Sequence, residues 1–264
     1  MNLAVAGRSV YAYTGTRPFN ASQPTVMFVH GAANDHGVFA LQSRYFAWHG
    51  RNVLAVDLPG HGRSRGDALP SVEALADWLR DVMNAVEVAQ AAVVGHSLGA
   101  LVALECAARN PDRVRRLALL GPAVPMAVSD ELLGAAARND HVAYELINGW
   151  SFSPAKLVGG NRLPGVFMAG NAMRLMERTP PGVLYTDLAA CNAYAGGLDD
   201  ARGVACPALL LVGARDLMAP PRAAKDLADA LGERARTVTL PGCGHAMMAE
   251  APDAVLDALI AFLR

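Results

Sequence analysis

The sequence predicts an α/β fold built around a mostly parallel sheet, and three observations carry that reading. Short β-branched or leucine-rich runs alternate with longer helical patterns along most of the 264 residues. Several of those runs are almost continuously apolar, as expected of parallel strands buried on both faces. Gly95-His96-Ser97-Leu98-Gly99 joins one such run directly to a helical pattern, through a turn flanked by glycines.

Strands are expected at Val10–Thr14, Thr25–His30, Val53–Asp57, Ala91–Gly95, Val114–Leu120, Ala208–Gly213 and Arg236–Leu240. Between them, Ser71–Glu87 places Val72, Leu75, Ala76, Leu79, Val82, Met83 and Val86 on one helical stripe, with Ser71 as N-cap after Pro70. Further helices are expected at Val38–His49, Ser97–Arg109, Pro221–Leu231 and Pro252–Leu263. The last two start with proline at or near the first turn, where its missing N–H costs nothing. The rhythm breaks between about Pro122 and Gly203, a helical and irregular stretch with no buried strand pattern. The simplest organisation is a core of residues 1–121 and 204–264 with residues 122–203 inserted between two halves of the sheet.

Composition narrows the function. With 53% hydrophobic residues the chain can bury enough surface to offset its ordering entropy, so disorder is excluded. Twenty-three basic against 24 acidic residues leave no positive excess to neutralise phosphates, so no nucleic-acid partner is expected. No apolar run is long enough to span a bilayer, and no basic-then-apolar leader opens the chain, so a cytoplasmic protein with no membrane partner is expected. Cys106, Cys191, Cys206 and Cys243 form no C-x-x-C pair, and neither a metal site nor a disulfide framework is expected.

The chemistry gathers at loops that follow strands. Gly95-His96-Ser97-Leu98-Gly99 is G-x-S-x-G in its strand–turn–helix context, where small flanks let strand and helix cross closely and leave the serine exposed on a strained turn. The alternative is a plain connecting turn. A serine hydroxyl needs a base, and only His141 and His245 lie downstream of Ser97. His141 falls in the irregular stretch, whereas His245 follows the run Thr237-Val238-Thr239-Leu240, so His245 is chosen. Asp216 comes just after the strand Ala208–Gly213 and is the expected acid; Asp199 and Asp200 are the fallback, and a turn or capping role is the alternative for Asp216. The developing oxyanion needs N–H donors, assigned to the amides of Leu98 and of Ala32 in the loop His30-Gly31-Ala32-Ala33-Asn34. His30 itself is expected to hydrogen-bond that loop's backbone.

Taken together, His30-Gly31-Ala32, Asp57-Leu58-Pro59-Gly60-His61-Gly62-Arg63-Ser64, Gly95-His96-Ser97-Leu98-Gly99, Gly213-Ala214-Arg215-Asp216 and Gly242-Cys243-Gly244-His245 resemble the α/β-hydrolase superfamily over essentially the whole length. The resemblance implies a helical lid at residues 122–203, inserted after the sixth strand, and supports Ser97, Asp216, His245 and both amides. It also implies a structural role for the Asp57–Ser64 loop, so no chemistry is assigned to His61 or Ser64. The lack of an HGGG run argues against the lipase and esterase branch that uses one, and with a serine nucleophile the resemblance to haloalkane dehalogenases and epoxide hydrolases stops at the fold.

In the lid, Trp150, Tyr144, Phe167, Met168, Met173 and Met176 either line an apolar pocket or pack the lid on itself. Met218 and Met247, each two residues beyond an expected catalytic residue, are the other expected substrate contacts, with Trp150 from the lid. The leading expectation is cofactor-free hydrolysis of a small to medium carboxylic ester. Lactone or carbon–carbon bond hydrolysis and perhydrolysis remain open, as does a ligand receptor with little turnover.

Overall fold

In a computed structural model, residues 1–20, 22–161 and 165–264 are described, so Ala21 and residues 162–164 of the insertion lie outside the description. Among the described residues eight strands form one sheet: β1 (Asn2–Val5), β2 (Arg8–Tyr13), β3 (Thr25–Val29), β4 (Asn52–Val56), β5 (Ala91–His96), β6 (Val114–Leu120), β7 (Ala208–Gly213) and β8 (Ala235–Leu240). Their spatial order is β1-β2-β4-β3-β5-β6-β7-β8. From β4 to β8 every pairing is parallel, whereas β2 pairs antiparallel with both β1 and β4 and is the one reversed strand among the described residues.

The continuous apolar runs are explained by the two faces they serve. Along β3, Met27 and Val29 face one core while Val26 and Phe28 face the other; along β7, Leu210 and Val212 alternate with Leu209 and Leu211 in the same way. A strand buried on both sides has no polar face to betray its period. The strand that sequence patterning passes over is β1, which turns back on β2 through Ala6 and Gly7, both at positive φ. Two consecutive left-handed residues match the twist of a tight hairpin.

Helices α1 (Ala40–Trp48), α2 (Val72–Ala85) and α3 (Leu98–Arg109) follow the early strands. The Ser71 hydroxyl accepts from Ala74 N at 3.2 Å and caps α2, and the expected stripe is buried in the main core except for Val86, which is half-buried at its edge. The 38–49 helix begins instead as a 3-10 turn at His36–Phe39, capped by the Asp35 carboxylate, before α1.

Between β6 and β7, among the described residues, come α4 (Asp130–Ala137), α5 (Val142–Ser151), α6 (Pro154–Leu157), α7 (Met168–Met176), α8 (Val183–Ala193) and α9 (Gly197–Gly203). Helices α4, α5, α7 and α8 share their own small core around Leu132, Met176, Leu184 and Leu188. Cys191, Tyr194 and Ala201 instead join the main core beside α3, which anchors the end of the insertion to the sheet. After β7 and β8, α10 (Ala223–Leu231), α11 (Met247–Glu250) and α12 (Pro252–Leu263) complete the chain, with Pro252 in the first turn of α12. No helix among the described residues is long and apolar enough to cross a membrane.

Candidate active site

Strand order reverses around β3, whose neighbours are β4 on one side and β5 on the other. The crevice beyond the carboxyl ends of such strands is where an open α/β sheet holds its ligands. The loops after β3, β5, β7 and β8 meet there.

Ser97 sits between β5 and α3 at φ 54° and ψ −121°, a conformation that costs an L-residue energy and persists only when its surroundings impose it. The surroundings are its glycines. A Cβ at Gly95 would collide with the Gly99 carbonyl, and one at Gly99 with the carbonyls of Val29 and His30. Ser97 N also donates to Leu120 O at 3.0 Å, fixing the turn to β6. On the other side, a Cβ at Gly31 would lie 3.0 Å from the Ser97 Cβ, so the loop after β3 runs directly over the serine. That loop carries Ala32, while Leu98 opens α3 with its amide at a helix N-terminus, where backbone dipoles favour negative charge.

Asp216 and His245 are hydrogen-bonded, Oδ2 to Nδ1, at 2.7 Å, and both are buried. The other carboxylate oxygen, Oδ1, accepts from Met218 N at 2.9 Å and Ala219 N at 2.7 Å. Asp216 thus accepts an amide pair and the imidazole at once, which sets its plane. With Nδ1 engaged, the basic nitrogen left on His245 is Nε2, which is buried and has no partner among the described residues. His245 and Ser97 line the same cavity, of about 1310 Å³.

The alternatives lie elsewhere. Asp199 is exposed and pairs with Arg202, Asp200 accepts from the Tyr194 hydroxyl at 2.5 Å, and His141 is an exposed residue between Glu145 and Glu177. His30 Nε2 accepts from Leu58 N at 3.0 Å, so its Nδ1 carries the proton and donates to Gly31 O at 2.8 Å. Burial, reinforced by the neighbouring His61, pushes its pKa down to about 3 and keeps the ring neutral. Ser64 bonds Tyr11 N and Asp57 O within its own loop.

Met218 and Trp150 line the cavity, as do Met168 and Met176. Met247 does not: it is fully buried in the core beneath, and its neighbour Met248 lines the cavity in its place. These two residues open α11, where successive side chains point about 100° apart, so an offset of one residue exchanges core for cavity. Met173 and Tyr144 pack within the insertion, and Phe167 is exposed at its surface.

Three supporting residues escaped sequence reasoning. His96 donates from Nε2 to the His245 carbonyl at 3.0 Å; burial, with His245 close by, holds its pKa well below that of a free imidazole. A histidine at the end of an otherwise apolar strand was the available signal. Glu250 accepts from Gly244 N at 3.0 Å and from the Ser153 hydroxyl at 2.5 Å, tying the His245 loop to the insertion. Gly121, at φ +57°, backs onto the imidazole. No local pattern marks either of these.

A sequence model of the alpha/beta hydrolase fold matches residues 24–252. The chain is 34% identical over 231 residues to the pimeloyl-[acyl-carrier protein] methyl ester esterase of Chromobacterium violaceum, covering 84% of this chain and 87% of that one. It is 30% identical over 248 residues to the enzyme of the same name from Aromatoleum aromaticum, covering 88% of this chain and 95% of that one. Among solved structures, the enol-lactonase from Burkholderia xenovorans superposes with a TM-score of 0.87 at 26% identity, over 100% of this chain and 99% of that chain. A glycine-flanked serine elbow after β5, helices inserted between β6 and β7, and a match over most of the length agree: the chain belongs to the α/β-hydrolase fold family.

Proposed function

We propose that this protein is a serine hydrolase of carboxylic esters that works through an acyl-enzyme. The observation that carries the reading is the buried 2.7 Å Asp216–His245 hydrogen bond, which leaves His245 Nε2 free in the cavity that Ser97 lines. In this mechanism Ser97 attacks the ester carbonyl as His245 Nε2 takes its proton. Asp216 holds the tautomer and stabilises the imidazolium. The amides of Ala32 and Leu98 receive the charge that develops on the carbonyl oxygen. His245 then returns its proton to the leaving alkoxide, and a water activated by the same nitrogen releases the acid.

The cavity supports this substrate class. Its walls are mainly apolar, with Leu132, Ile147, Trp150, Met168 and Leu188 from the insertion and Met218 and Met248 from the core. A volume near 1310 Å³ has room for an acyl chain of medium length. Residues 122–203 act in this reading as the lid that supplies the acyl pocket. The ester-cleaving names of the two sequence relatives support it. A lactone is the second reading, favoured by the full-length likeness to an enol-lactonase. A ring-opened lactone passes through the same acyl-enzyme, with the leaving alcohol still attached.

The test is a panel of p-nitrophenyl esters from acetate to dodecanoate, with lactones and thioesters alongside, on wild type and Ser97→Ala. Wild type should turn over esters and take up one fluorophosphonate at Ser97, and the variant should do neither. Turnover by the variant, or labelling at another serine, rejects the mechanism.

A further inference from the structure

Ala33 follows the residue whose amide is assigned to the oxyanion, and both of its backbone polar groups are held by the insertion. Its N–H donates to Asp187 Oδ2 at 3.1 Å, and its carbonyl accepts from the Thr179 hydroxyl at 3.3 Å. Its φ of +53° lies in the left-handed region, which alanine occupies only when neighbours impose it. Those neighbours are two side chains more than 140 residues away in sequence, one of them on α8.

Asp187 is itself fixed. It is 2% exposed, and the oxygen that takes the Ala33 amide also meets His61 Nε2 at 2.8 Å. The other nitrogen of His61 lies 3.0 Å from Pro59 O. Both members of this pair are buried, so the bond spans core and insertion without water. Burial works against a charged His61, but the Asp187 carboxylate, joined by the Pro59 carbonyl and Asp57, raises the imidazole pKa overall. His61 is also faced by the ring of neutral His30, 5.0 Å away, and by the more distant Asp57. His30 in turn holds Gly31 O. The residues on either side of Ala32 are therefore gripped, Gly31 from the core and Ala33 from the insertion. A buried ion pair returns little net stability for its desolvation, and its best-attested use is to fix one geometry.

Resting on the serine-hydrolase reading above, we infer that Asp187 is a positioning residue for the oxyanion hole: it holds Ala33 so that the Ala32 amide faces the developing charge, and His61 orients Asp187. The hole is then complete only when α8 is seated on the core, which makes the insertion part of the catalytic apparatus as well as a wall of the pocket.

The experiment compares the full-length wild type with Asp187→Asn and Asp187→Ala. It measures p-nitrophenyl butyrate kinetics and inhibition by a trifluoromethyl ketone, whose hemiketal oxygen occupies the oxyanion hole. For Asp187→Ala, kcat should fall about 10- to 100-fold, short of the roughly 10²–10³ for deleting a donor outright. KM should stay within about threefold, because substrate binding precedes charge development. The Ki of the ketone should rise in step with the loss of kcat/KM, and Asp187→Asn, which keeps an acceptor, should recover part of both. Wild-type kinetics in Asp187→Ala, or a loss of kcat with an unmoved Ki, overturns the inference. If Asp187→Ala does not fold, Asp187→Asn and Thr179→Val carry the comparison, and an unchanged Ki in both is equally fatal. A wild type that neither turns over esters nor labels at Ser97 refutes the underlying hydrolase reading instead.

Discussion

Gly121 stands against the imidazole of His245: a Cβ added there would lie 2.9 Å from both Nδ1 and Cε1, and 3.5 Å from Asp216 Oδ2. The residue just after β6 thus forms the wall behind the acid–histidine pair. Its φ of +57° and the bond from its N–H to Leu211 O at 2.9 Å leave the backbone no easy retreat. Gly121→Ala should push the ring off its aspartate. We expect kcat on a short ester to fall at least about tenfold, with a stability cost of about 1–2 kcal/mol from the left-handed backbone. A melting curve beside the kinetics separates the two effects, and unaltered kcat would mean that the ring can shift without consequence.

Asp216→Asn should leave the imidazole in the wrong tautomer and cost on the order of 10⁴ in kcat, by analogy with the serine-protease triad. Asp199→Asn and Asp200→Asn should leave kcat near wild type, because the first is exposed and paired with Arg202 and the second belongs to the Tyr194 cluster. Steady-state rates on one ester rank the three. A collapse in either control with Asp216→Asn intact would move the acid elsewhere.

Ala32 lines the cavity, so bulk at this position should narrow the acyl pocket while sparing its backbone amide. Ala32→Trp is expected to retain acetyl-ester turnover and lose longer chains, with the loss on acetate well below the roughly 10²–10³ of a missing oxyanion donor. Because Ala32 also packs against the core, about 1–3 kcal/mol of overpacking is expected. A chain-length profile unchanged in a destabilised variant would place the side chain outside the acyl path.

On α3, a Glu105 carboxyl oxygen lies 2.9 Å from the Tyr194 hydroxyl, whose single proton goes to Asp200 of α9. Burial, and then the Asp200 carboxylate, push its carboxyl up to about 7 from an ordinary 4.5. The folded state therefore favours the protonated acid. Its contribution to stability is complete below about pH 4.5 and is lost as the pH rises through about 7. Glu105→Gln should remove that slope and gain about 1–2 kcal/mol relative to wild type at pH 8. Urea melts at pH 5 and pH 8 would show it, and an equal difference at both pH values would reject it.

Local chemistry was legible wherever a residue's role depends on its own neighbours in the chain. The Ser97 elbow reads from sequence because Gly95 and Gly99 must be small for β5 and α3 to cross, and the Ser71 cap reads because its partner is three residues on. Parallel strands read from their apolar runs because both faces of β3 and β7 are covered. The choice of Asp216 and His245 followed from strand ends. What the tertiary structure alone decided is how distant segments converge. Met247 and Met248 divide core from cavity by helical phase within one short turn, which composition cannot resolve. Gly121, Glu250 and Asp187 have no local signature, because each acts on a segment brought to it from far along the chain: Gly121 behind His245, Glu250 on Ser153, Asp187 on Ala33 and His61. Their roles depend on distances of about 3 Å across the fold, set by packing of the whole sheet and its insertion, and hydrophobic periodicity records only which face of an element is buried.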